Sequence, residues 1–95
     1  MHVLDSAATD EKLKKLAEWK LENGEIVRHF TFANFVDAMR FVNAVAEMAE
    51  GAGHHPDIDI RYNKVRLALV SHDAGGLTES DFGMAAAIDQ LPTKN

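Results

Sequence analysis

Residues 57–72 read DIDIRYNKVRLALVSH, and this stretch decides the fold. Its first half alternates isoleucine with charged residues, which is the period of a strand with one apolar and one polar face. Its second half, residues 65–72, is apolar on both faces at Ala68 and Val70, as expected of a central strand or of a strand at an interface. We place the turn between the two halves at residues 63–64 (Asn-Lys). Because a tight turn forces antiparallel pairing, the stretch predicts a β-hairpin.

A second hairpin is predicted upstream. Residues 19–22 and 25–32 have the composition of strands, and Asn23-Gly24 separates them. The Asn-Gly pair supplies the two positive φ angles of a type I′ turn. The chain is therefore expected to contain two pairs of antiparallel strands.

Helices are predicted around these hairpins. The first is short and begins near the N-terminus, where Ser6 or Thr9 can cap it. The last follows Thr78, whose side chain caps it while Asp81 reaches back, and Pro92 stops it. With one more helix between the hairpins, the element order becomes α-β-β-α-β-β-α.

The middle helix, over about residues 35–50, has an apolar surface wider than one core-facing stripe. Asn34 can cap this helix, and Gly51 and Gly53 end it. Burial on two sides, by the sheet and by a second subunit, would account for such a surface. The sequence therefore favours a homo-oligomer.

Together these elements predict one α+β domain over residues 1–95, with three helices packed on one face of a four-stranded antiparallel sheet. The length allows only a thin core and argues against a second domain. The core is expected to include the aromatic residues Trp19, Phe30, Phe32, Phe35 and Phe41.

The composition excludes several classes of function. Absence of cysteine removes disulfides, zinc–thiolate sites and thiol nucleophiles, and it fits a cytoplasmic protein. Ten basic residues against fifteen acidic ones give a formal charge of −5, which argues against a nucleic-acid partner. The longest aliphatic run, residues 84–88, is far shorter than the roughly 20 residues of a membrane span.

Three of the five histidines converge in the predicted fold. His54-His55-Pro56 lies between the middle helix and the third strand, and His72 ends the fourth strand. Counting outward from a turn at 63–64 places His55 opposite His72. Three acidic residues lie on the loops and helix ends nearest this rim: Glu50, Asp73 and Asp81.

Histidines beside carboxylates favour proton-transfer chemistry, since imidazole has an unperturbed pKa of about 6.5. One alternative is that they are ordinary solvated residues, which is our interpretation of His2 and His29. A second alternative is a metal site, but His54 and His55 lack the i, i+4 spacing typical of helical zinc ligands. No metal and no other cofactor is expected.

The residues at this rim resemble the pterin-4a-carbinolamine dehydratase family. Its motif is an acidic or similar residue, three spacers, His-His-Pro, an aromatic residue, a histidine and an aspartate, all at fixed spacing. The resemblance covers about residues 17–91, and no position of the motif departs from it. The matching residues are Glu50, His54, His55, Pro56, Tyr62, His72 and Asp81.

The resemblance implies an activity, namely dehydration of 4a-hydroxytetrahydropterin to quinonoid dihydropterin. This hydro-lyase reaction is one step in the recycling of the tetrahydrobiopterin that aromatic amino acid hydroxylases use. By motif position, His54 and His72 would be the acid/base pair, His55 would orient the pterin, and Tyr62 would pack within its strand. The resemblance further implies that Glu50 and Asp81 would hold the loops or orient the imidazoles. The residues that would line the pterin pocket are Pro56, Ser71, Asp73 and Ala74.

The resemblance also implies partners. Family members are usually dimers or tetramers, so a homodimer or homotetramer is expected. Some members also serve as dimerisation cofactors of a homeodomain transcription factor. The alternative function is therefore a non-enzymatic interaction protein built on the same fold.

Overall fold

The computed structural model describes residues 2–93. All strand pairs are antiparallel, and the order across the sheet is β1-β2-β4-β3, which confirms the predicted fold class and element order. In chain order the elements are α1 (Ser6–Leu13), β1 (Lys20–Glu22), β2 (Glu25–Thr31), α2 (Phe35–Ala52), β3 (Asp57–Arg61), β4 (Lys64–Leu69) and α3 (Glu79–Asp89).

The first hairpin has the predicted turn. Glu22 pairs with Glu25, so the loop holds two residues, Asn23 and Gly24. Their φ angles are 50° and 80°, both in the left-handed region that a type I′ turn requires.

The second hairpin turns one residue earlier than predicted. Arg61 pairs with Lys64, so the loop residues are Tyr62 and Asn63. Asn63 belongs to the turn because it is bonded to Phe32, the residue that follows β2. Its Nδ2 donates to the Phe32 carbonyl at 2.7 Å, and the Phe32 N–H donates to the Asn63 carbonyl at 2.9 Å. Tyr62 takes a φ of 55° and is 64% exposed, so the expectation that it packs within a strand is wrong.

The corrected turn changes the register at the open end of this hairpin. Asp57 pairs with Ala68, and the same register continued outward sets His54 level with Ser71. The prediction that His55 lies opposite His72 is therefore wrong. The histidines still approach one another, because the loops that carry them leave the same end of the hairpin.

Helix α2 runs two residues further than predicted. Asn34 caps it by accepting a hydrogen bond from the Asp37 N–H, and Gly51 lies within it. The helix ends at Gly53, whose φ of 65° favours glycine. The next residue, His54, donates its backbone N–H to the carbonyl of Ala49 at 3.2 Å. The histidine pair is thus held directly against the end of α2.

Helix α1 is capped differently from the prediction. The side chain of Asp5 accepts a hydrogen bond from the Ala8 N–H at 2.8 Å, so neither Ser6 nor Thr9 is the cap. Thr9 is instead buried, at 5% exposure. Serine and threonine carry the same capping preference as aspartate, so local sequence does not separate these candidates.

The core lies between one face of the sheet and the helices. Trp19, Phe30, Phe32 and Phe41 are buried in it as predicted. The prediction that Phe35 is a core residue is wrong, since it is 48% exposed. It is the first residue of α2 and lies beside the exposed Val36.

The loop after β4 is closed by its own hydrogen bonds. The Ser71 N–H donates to the Gly76 carbonyl at 3.1 Å, and Gly75 has a φ of 83°. The N-terminal segment crosses this loop so closely that a Cβ on Gly76 would lie 2.8 Å from a methyl carbon of Val3. The loop that carries His72 is therefore fixed at both ends.

No helix within residues 2–93 is both long enough and apolar enough to cross a membrane.

Candidate functional site

The carboxylate of Asp81 is completely buried and has partners on both oxygens. Its Oδ1 lies 2.6 Å from Nε2 of His54. Its Oδ2 accepts one hydrogen bond from the Ser71 hydroxyl and one from the Thr78 N–H, each at 2.9 Å. An unpaired carboxylate in this position would cost several kcal/mol, so these three contacts are what permit its burial.

Asp81 reaches this position through the cap of α3. Thr78 is the cap residue, and its side chain and the Asp81 carboxylate form the predicted reciprocal pair. The N-terminus of the helix also favours a negative charge there. The sequence predicted this cap, but the same carboxylate also anchors a histidine that lies 27 residues earlier.

His54 is largely enclosed, and its side chain is only 15% exposed. Nδ1, the ring nitrogen that does not face Asp81, forms no hydrogen bond within residues 2–93 and is not among the buried polar atoms that lack a partner. It therefore keeps contact with solvent. One nitrogen of His54 is anchored while the other is open to a ligand.

The other two histidines are more open. His55 is exposed and its Nε2 lies 2.8 Å from a carboxylate oxygen of Glu50, which is also exposed. His72 is exposed in the loop after β4. Glu50 therefore supports His55, whereas Asp81 supports His54.

All three histidines line one cavity of about 250 Å³. Its wall consists of residues 53–55 and 70–73, so Ser71 and Asp73 also contribute. Pro56 and Ala74 lie next to these segments without lining the cavity. Gly53 and Val70 were missed, because a glycine and a valine carry no chemical signal in the sequence.

Thr78 was also missed as a site residue. Its hydroxyl lies 2.7 Å from that of Ser71, and both side chains are buried. The sequence signal was present, since the capping motif marks Thr78, but that motif also occurs where no site exists.

The described part of the chain has other hollows that are similar in size or larger. One, of about 280 Å³, lies on the helix-free face of the sheet, and one, of about 370 Å³, lies between α1 and α3. A third, of about 230 Å³, lies between α2 and α3 and is also lined by His54. None of the three brings two histidines together. Nor do residues 2–93 contain a group of three or more histidine and acidic side chains placed to hold a metal ion. The chemistry therefore points to the histidine cavity.

This arrangement is suited to proton transfer on a small polar molecule. An imidazole anchored on a buried carboxylate shares the cavity with a second imidazole that solvent can reach. One can donate a proton while the other accepts one.

We predict that Asp81→Ala lowers the free energy of unfolding by about 2–4 kcal/mol, because His54, Ser71 and the Thr78 N–H lose their shared acceptor. Glu50→Ala is the matched control. Its partner His55 is exposed, so the change should stay below about 1 kcal/mol. Urea unfolding followed by circular dichroism measures both. A loss for Asp81→Ala no greater than that for Glu50→Ala would contradict the role assigned to the buried carboxylate.

The sequence profile of the family described as Pterin 4 alpha carbinolamine dehydratase matches residues 2–91. Two curated relatives carry that dehydratase name provisionally. The chain is 62% identical to one from Chloroflexus aurantiacus over 88 residues, covering 93% of this chain and 95% of the relative. It is 63% identical to one from Acidobacterium capsulatum over 91 residues, covering 96% and 99%.

Solved structures agree with this assignment. A protein from Brucella melitensis described as a transcriptional coactivator/pterin dehydratase superposes with a TM-score of 0.88 at 32% identity, covering 93% of this chain and 96% of the other. A pterin dehydratase-like protein described as a RuBisCO assembly factor of the alpha-carboxysome shares the fold, with a TM-score of 0.64 at 23% identity over 81% and 89% of the two chains. By profile, identity and fold, the chain belongs to the pterin 4 alpha carbinolamine dehydratase family.

Proposed function

We propose that this protein catalyses the dehydration of 4a-hydroxytetrahydropterin to quinonoid dihydropterin, in the recycling of tetrahydropterin. The observation that carries the proposal is the pairing of a carboxylate-anchored His54 with His72 in one cavity. The names of the relatives support the same reaction. A cytoplasmic location is expected from the absence of cysteine.

The reaction needs two proton transfers and no change of oxidation state. The bond from C4a to its hydroxyl breaks, and the hydroxyl takes up a proton and leaves as water. The neighbouring N5 gives up its proton as the C4a=N5 double bond forms. One imidazolium supplies the first proton, and one neutral imidazole accepts the second. Exchange with solvent then restores both imidazoles.

His54 and His72 are the proposed acid/base pair. The Asp81 carboxylate fixes the orientation of the His54 ring and stabilises its positive charge whenever it is protonated. His55, held by Glu50, is proposed to bind and orient the pterin. Ser71 and Asp73 on the cavity wall, with Pro56 and Ala74 beside it, would define the pterin pocket.

An oligomer is the second part of the proposal. Phe35 and Val36 are 48% and 56% exposed at the start of α2, where two large apolar side chains meet solvent in the isolated chain. A homodimer or homotetramer that covers them would remove this apolar surface from water.

The same surface supports the alternative function. The Brucella melitensis protein is described as a transcriptional coactivator as well as a dehydratase. An interaction protein would use exposed apolar positions such as Phe35 and Val36 and would not depend on the histidine cavity. Replacing the cavity histidines should therefore abolish dehydration but leave a function that depends on the apolar surface unchanged.

We predict that the wild-type protein accelerates quinonoid dihydropterin formation from enzymatically generated 4a-hydroxytetrahydropterin, followed by stopped-flow absorbance. His54→Ala and His72→Ala should each lower the catalysed rate by roughly 10²–10⁴-fold, the usual contribution of a general acid or base. His29→Ala is the control, because His29 is exposed on β2 and does not line this cavity. A wild-type rate equal to the spontaneous rate would exclude the enzyme, and full activity in both variants would exclude the acid/base pair.

We also predict that size-exclusion chromatography with light scattering gives the molar mass of a dimer or tetramer, and that this mass does not change with protein concentration. Val36→Glu should shift the population toward monomer, because a charge at the interface would have to be desolvated. Ala7→Glu, which adds the same charge at an exposed position of α1, controls for charge alone. A monomer at all concentrations of the wild-type protein would refute the oligomer.

A further inference from the structure

We infer that Ser71 and Thr78 are positioning residues for His54. Their hydroxyl groups hold the Asp81 carboxylate as an acceptor, so that neutral His54 keeps its proton on Nε2 and offers the lone pair of Nδ1 to the cavity. The catalytic consequence rests on the proposed function, whereas the assignment of the proton rests on the hydrogen bonds alone.

The direction of each hydrogen bond follows from the number of available protons. The Ser71 hydroxyl has one proton and lies 2.9 Å from Asp81 Oδ2 and 2.7 Å from the Thr78 hydroxyl. An ionised carboxylate can only accept, so Ser71 donates to Asp81 and Thr78 must donate to Ser71. The Thr78 hydroxyl in turn accepts from the Ser80 N–H at 3.2 Å. The donors thus form a chain that ends at Asp81.

The backbone fixes which carboxylate oxygen is occupied. The Thr78 N–H can only donate, and it donates to Oδ2 together with Ser71. Oδ1 is left for His54, at 2.6 Å from Nε2. Because imidazole is ordinarily more basic than a carboxylate, the proton between them belongs to the ring. In neutral His54 the proton is therefore on Nε2.

This leaves Nδ1 as the nitrogen that can exchange a proton with a ligand. It has no hydrogen-bond partner in the described part of the chain, and it is accessible to solvent. In the proposed reaction, Nδ1 would accept the proton from the pterin when His54 acts as base, and Nδ1–H would donate it when His54 acts as acid. The hydroxyl groups of Ser71 and Thr78 influence His54 only through Asp81, although Ser71 also lines the cavity.

Asp81→Asn should reverse the tautomer. The amide oxygen of the new side chain must take the Oδ2 position, because the Thr78 N–H and the Ser71 hydroxyl both donate there. The amide NH₂ then faces His54, whose Nε2 must accept. The ring proton moves to Nδ1, and the lone pair that faced the cavity is lost.

The test is nitrogen NMR of the full chain labelled with ¹⁵N-histidine, at about pH 8.5, where an ordinary imidazole is neutral. Wild-type protein and the hydroxyl-preserving control Thr78→Ser should show His54 with Nε2–H. Asp81→Asn should show Nδ1–H. Ser71→Ala and Thr78→Val should show a mixture of the two tautomers, because an Asp81 carboxylate that has lost part of its support at Oδ2 no longer holds Oδ1 firmly against the ring. Wild-type protein with Nδ1–H, or Asp81→Asn with an unchanged tautomer, would overturn the assignment of the proton, and Nε2–H alone in both Ser71→Ala and Thr78→Val would overturn the positioning role of the hydroxyls.

Turnover of the same proteins separates this inference from the proposed function. Asp81→Asn should lose roughly 100-fold or more in catalysed rate and Ser71→Ala roughly 10-fold, while Thr78→Ser stays near wild type. Asp81→Asn with the reversed tautomer and full turnover would overturn the role of Nδ1. No turnover in the wild type would overturn the proposed function and the catalytic role of Nδ1 together, and the NMR result would still decide the tautomer.

Discussion

The burial of one negative charge organises this protein. Asp81 lies at zero exposure, where a carboxylate is tolerated only if donors surround it. Those donors come from three places in the chain: the start of α3 at Thr78, the loop after β4 at Ser71, and the loop after α2 at His54. Satisfying one buried group therefore joins two helix ends to the open end of a hairpin.

The same requirement places the cavity. Gly53 ends α2 in a left-handed conformation, and the loop at 71–76 closes on itself through the bond from Ser71 to Gly76. Both segments are held by their own hydrogen bonds, and each contributes histidine to the cavity wall. An acid and a base stay at a fixed separation only if the segments that carry them are rigid, and here both loops are held by the buried Asp81 carboxylate.

Local sequence predicted the features that depend on neighbouring residues. Asn23-Gly24 fixed one turn and the Thr78–Asp81 cap fixed the start of α3. The second turn was predicted one residue too late, because local sequence does not show the bond between Asn63 and Phe32, which are 31 residues apart. The site followed the same division. The convergence of three histidines was predictable from the hairpin, whereas the contact of Asp81 with His54 arises only in the folded chain.

The most direct measurement of the central claim is amide chemical-shift mapping of the full chain with 7,8-dihydrobiopterin, a reduced pterin that lacks the 4a-hydroxyl group. If the buried carboxylate positions His54 toward a pterin, the shifts should concentrate at residues 53–55 and 70–73. Shifts confined to the helix-free face of the sheet, or to the hollow between α1 and α3, would contradict it. So would the absence of any shift at saturating pterin.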